Sequence, residues 1–102
     1  MKIGKSIMVG GATYKIKLDK NLKDDDNQES YGYVRFATLE IILNPSFGEE
    51  TTAISLFHEL EHVKDYHLGL VEGDRVKIDE VYTVQRQYLQ KQIVDQIMVW
   101  QK

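Results

Sequence analysis

Cysteine is absent from the 102 residues, which excludes disulfides and thiolate metal sites alike. Any metal ion must therefore be held by histidine, carboxylate or water. Basic charge is also in short supply. The net charge of −3 argues against non-specific nucleic-acid binding. The early lysines (Lys2, Lys5, Lys15, Lys17, Lys20, Lys23) are interspersed with apolar residues and followed by Asp24-Asp25-Asp26, which suits solvent faces of strands and not a phosphate-binding stripe. No apolar run approaches the ~20 residues that span a bilayer. The N-terminal run Ile7-Met8-Val9 is too short for a signal peptide and ends in Gly10-Gly11. The expectation is one cytoplasmic domain spanning residues 1–102, with no nucleic-acid or membrane partner. At 42% hydrophobic and 28% charged residues, it has enough apolar material for a modest core.

Proline occurs once, at Pro45, and glycine is sparse enough to punctuate the chain. Gly10-Gly11 supplies a two-residue hairpin turn between strands at Ser6–Val9 and Ala12–Leu18. Strict alternation in Tyr14-Lys15-Ile16-Lys17-Leu18 gives the second strand one wet face. The polar stretch from Asp19 to Ser30 reads as a loop. A second β pair follows at Tyr31–Phe36 and Leu39–Leu43, ended by Asn44-Pro45. Ser46 and Glu49 have capping-box spacing, so a helix is expected from about Phe47 to about His67, stopped by Gly69. A long helix from about Arg75 to about Val99 should close the chain. The fold class is α+β: about four strands, mostly antiparallel, packed against two helices.

All three histidines fall in one stretch, FHELEHVKDYHLGL, from Phe57 to Leu70. His58 and His62 are four apart, so on a helix they lie about 40° from each other on neighbouring turns. They can present two imidazoles to one Zn²⁺. Glu59 lies about 100° round from His58, poorly placed as a ligand but able to reach a water on the ion. That is the chemistry of an H-E-x-x-H motif: two ligands, and a base that is not one. Ala53, Leu56, Phe57, Leu60 and Val63 form an apolar arc on the far side, so the expected core stripe is separate from the histidine stripe. A solvated polar helix is the bland alternative, and the capped context argues against it.

A catalytic zinc takes three protein ligands. His67, nine residues past His58, comes round to the opposite side of the helix, and is expected to line the helix C-terminus. The long metzincin pattern fails, since Asp65 and Leu68 stand where it needs Gly and His. Glu72, Asp79 and Glu80 remain as candidates. Glu80 is flanked at four residues by Val76 and Val84, and a lone carboxylate on an apolar stripe needs a partner such as a metal ion. Glu80 is the favoured third ligand, with Asp79 the main competitor; a surface acid paired with Lys77 or an arginine is the alternative for Glu80. Tyr66 and Tyr82 are candidate hydroxyls for stabilising an oxyanion.

With Ile42 to Phe47 (ILNPSF), the histidine helix and a following acidic residue, the chain resembles minimal gluzincin-type zinc metallopeptidase domains of phage and bacterial origin, akin to the ImmA/IrrE peptidases. The resemblance spans roughly Tyr31 to Tyr88 and rests mainly on His58-Glu59-x-x-His62. It implies a zincin-like fold, zinc on His58, His62 and Glu80, Glu59 as general base, and a peptide or protein substrate. Val63 is bulkier than the small residue often found there in the family. A substrate strand is expected to add along the edge formed by Leu39 to Leu43. Two other expectations stand beside this: a metal-binding or interaction module without hydrolysis, and a homo-oligomer formed through the C-terminal helix, which carries Ile93, Ile97 and Trp100.

Overall fold

The structure, a computed structural model, describes residues 1–69 and 80–102, and the side chains of 1–69 and 83–102. Its elements are β1 (Ser6–Val9), β2 (Ala12–Leu18), β3 (Gly32–Arg35), β4 (Glu40–Leu43), a 3-10 turn (Pro45–Phe47), α1 (Glu49–His67) and α2 (Glu80–Trp100). The class is α+β. Among the described residues no helix is long and apolar enough to cross a membrane.

Gly10, at φ 61°, turns β1 into β2 so that Val9 faces Ala12, as the Gly-Gly pair requires. β3 and β4 form the second antiparallel pair. The sheet is nevertheless mixed, in the order β1-β2-β4-β3, because β4 inserts parallel to β2. Two of the three pairings are antiparallel. This placement explains why all four residues of β4 are buried, Glu40 included. Ile41 and Leu43 join the core; Glu40, on the other face, is held by the ammonium of Lys17, the guanidinium of Arg35 and the Thr38 hydroxyl at 2.6 Å. The Lys17 hydrogen bond leads in holding the Glu40 carboxyl below its ordinary range. The expected substrate edge at Leu39 to Leu43 is thereby corrected: β4 is interior, and β3 and β1 are the outer strands.

The core lies between the sheet and the two helices, built from Ile7, Val9, Tyr14, Ile41, Leu43, Leu56, Leu60, Val63, Ile93 and Ile97. Burying these side chains, at about 1.5–3 kcal/mol for each large aliphatic one, supplies the main stabilising contribution. Two helix details depart from expectation. Ser46 and Glu49 form no capping box. Asn44 instead accepts from the Ser46 amide (3.0 Å) and hydroxyl (2.6 Å), while its own amide donates to the Ser30 carbonyl (3.0 Å). Buried Asn44 thus organises the 3-10 turn, and α1 begins at Glu49 after Gly48, whose φ is 100°. The second departure is the buried face of α1. Leu56, Leu60 and Val63 are buried as expected, whereas Phe57 is exposed and Ala53 only half-buried. Thr52, Ser55, Glu59 and Lys64 are buried in addition.

Lys64 is satisfied by Glu61 (2.5 Å) and by Gln90 of α2 (2.6 Å), and Arg86 of α2 pairs with Glu61 and Asp65. This polar seam fixes α2 against the C-terminal half of α1. Gly69 (φ 72°) ends α1, with its amide bonded to the Tyr66 carbonyl at 3.1 Å.

Candidate metal centre

The middle of α1 has strong helix formers around His58 and His62, a core stripe beneath, and no glycine or proline. The two imidazoles are consequently held one turn apart and turn their tips together. His58 Nε2 and His62 Nε2 are 3.2 Å apart, with the rings edge to face at 83°. Two nitrogens at the ~2.0–2.1 Å zinc distance in tetrahedral array would be about 3.3–3.4 Å apart. The pair therefore fits two corners of a tetrahedral site with a shift of a few tenths of an ångström. The same separation suits a direct N–H···N hydrogen bond, with one ring donating and the other accepting.

Glu59 is 6% exposed. Burial raises its carboxyl pKa above the ordinary range, and the nearby His62 and His58 oppose that rise without cancelling it. A cavity of about 350 Å³ opens beside it, between Tyr31 and Gly32 on the strand side and Ile54, Ser55, His58 and Glu59 on the helix side. A buried carboxylate at the wall of a cleft, next to two convergent imidazoles, can accept a proton from a molecule bound there.

The remaining sequence candidates separate. His67 leaves the pair: its Nε2 lies 3.0 Å from the hydroxyl of buried Tyr14, in edge contact with that ring. Tyr66 stacks on Phe36 with ring centroids 4.1 Å apart, in a cluster that continues to His67. Among the described residues no group of three or more histidine or carboxylate side chains comes together as a metal site. Glu80 is the first residue of α2, but its side chain lies outside the described set, as does that of Tyr82. Asp79 and Glu72 lie outside the described residues altogether.

Sequence reasoning missed the strand wall of the cleft. β3 is an outer strand, and the bond from the Asn44 amide to the Tyr31 carbonyl fixes which residues face β4. By antiparallel alternation from that bond, Gly32 and Val34 point their N–H and C=O groups away from β4. A Cβ at Gly32 would come within 2.9 Å of the Ile42 carbonyl oxygen, so glycine is required for close pairing there. Tyr-Gly opening a short strand was the available signal.

Compared with protein-family models, curated proteins and solved structures, the chain matches none.

Proposed function

We propose that the protein is a zinc-dependent peptide hydrolase of zincin-like design, with His58 and His62 as metal ligands, Glu80 as the third (Asp79 its competitor) and Glu59 as the general base. The observation that carries this reading is the convergence of the two Nε2 atoms at 3.2 Å beside a buried Glu59. Zinc, when bound, supplies Lewis-acid polarisation of the scissile carbonyl and acidifies water. Glu59 accepts the proton of the attacking water on a carboxylate oxygen and passes it to the leaving nitrogen. An extended peptide pairs with the outward groups of Gly32 and Val34 on β3, which brings its backbone along the cleft wall. The cysteine-free composition suits a cytoplasmic setting.

A second reading, a metal-binding or interaction module without hydrolysis, draws on the same 3.2 Å contact as a plain histidine–histidine hydrogen bond. Metal content and peptide cleavage separate the two. Protein purified without chelators should hold stoichiometric zinc in wild type and Glu59→Gln, and lose it in His58→Ala. Cleavage of a broad peptide library should fall roughly a hundred- to ten-thousand-fold in Glu59→Gln. Zinc retained without any cleavage favours the module. Wild type free of metal after supplementation, or cleavage indifferent to Glu59→Gln, overturns the enzyme.

A further inference from the structure

β1 is an outer strand whose unpaired side ought to be open. The Ile16 amide bonds to the Lys5 carbonyl, so by alternation residues 7 and 9 pair with β2, and Ser6, Met8 and Gly10 point outward. An outward row of amides and carbonyls is a template for another strand. Here α2 occupies it with glutamines. Gln96 accepts from the Met8 amide (2.7 Å) and donates to the Met8 carbonyl (2.7 Å). Gln92 does the same at Gly10, at 2.7 and 3.1 Å. Gln101, just past the end of α2, makes the same pair of bonds to Lys2 ahead of β1, both 2.9 Å, outside the Gln92 to Gln96 spacing. Each carboxamide presents a C=O and an N–H side by side, as a peptide unit of a neighbouring strand would.

The spacing makes this possible. Four residues of helix rise about 6.0 Å, and two residues of strand about 6.6–6.8 Å. Glutamines at i and i+4 therefore stay in step with alternate strand residues, and α2 runs antiparallel to β1. Ile93 and Ile97, buried in the core, anchor the helix at the matching height.

We propose that α2 acts as a stand-in strand: Gln92 and Gln96 occupy the outward groups of Gly10 and Met8 and so block this stretch of β1 from pairing with a second copy of this chain. This does not rest on the hydrolytic reading. Hydrogen exchange on the wild-type chain tests it first. The Met8 and Gly10 amides should exchange at least about tenfold more slowly than that of Val34, which points away from β4 on the outer strand β3. Equal rates overturn the proposal. The paired variant Gln92→Met and Gln96→Met keeps side-chain length and removes the bonds to Met8 and Gly10. Its mass in sedimentation should double relative to wild type, and adding Met8→Pro, which deletes the outward amide, should restore the wild-type mass. A double variant that keeps the wild-type mass and circular dichroism also overturns it. Where the variants fail to fold, the exchange rates decide.

Discussion

Removing one imidazole from the His58–His62 pair gives the sharpest prediction. The 3.2 Å between their Nε2 atoms differs from a tetrahedral zinc edge by a few tenths of an ångström, so binding needs no rebuilding of α1. The ion then acts on stability by mass action. At a hundredfold excess over its dissociation constant it adds about 2.7 kcal/mol to the folded state. In a domain of this size each kcal/mol moves the melting temperature by about 4–8 °C, so zinc should raise it by roughly 10–20 °C. Differential scanning calorimetry with zinc, and again with excess chelator, reads the shift directly. Glu59→Gln should keep it, whereas His58→Ala and His62→Ala should each abolish most of it. A wild-type melting temperature that does not respond to millimolar zinc refutes the site, and so does an equal response in a variant lacking both histidines.

Two further outcomes follow from buried groups. Metal-free Glu59→Gln should be more stable than wild type near neutral pH. The sign comes from the raised pKa: folded Glu59 holds its proton to higher pH than the unfolded chain does. Its charge therefore destabilises the fold progressively as pH rises from the ordinary carboxylate range through the folded value. Urea titrations at several pH values should show the two proteins diverging over that window, and a variant weaker than wild type at pH 7 contradicts the reasoning. At Gly4 an added Cβ would fall 2.2 Å from Nε1 of Trp100, so Gly4→Ala should push the indole outward. A cost of about 1–3 kcal/mol and red-shifted emission from this single tryptophan are expected; unchanged emission and urea midpoint would show that the contact is slack.

Local pattern carried most of the elements. Gly10-Gly11 fixed the hairpin, and the alternation through Lys15, Ile16 and Lys17 fixed its second strand. The four-residue spacing of His58 and His62 was enough to bring their tips together. What stayed hidden was decided between distant segments. β4 reads as the partner of β3, and nothing local in Glu40–Leu43 announces that β2 will pair along its other side. Ser46 looked like the cap because Asn44 is recruited by the Ser30 carbonyl, fourteen residues earlier. Phe57 lies on the apolar arc yet is exposed, while Glu59 and Ser55 turn inward toward the cleft beside β3. Nothing local marks Gln92 and Gln96, because their partners Gly10 and Met8 are 82 and 88 residues away.

That separation has a consequence for the chain as it is made. β1 leaves the ribosome well before the helix that shields it has been synthesised. At about 5–20 residues per second, the 82 residues between Gly10 and Gln92 take roughly 4–16 s to add. For that interval the hairpin can form within microseconds while its outer row of amides has no occupant. Nascent chains stalled or truncated before α2 should be the ones that aggregate or recruit chaperones, even though all four strands and all of α1 have already been translated.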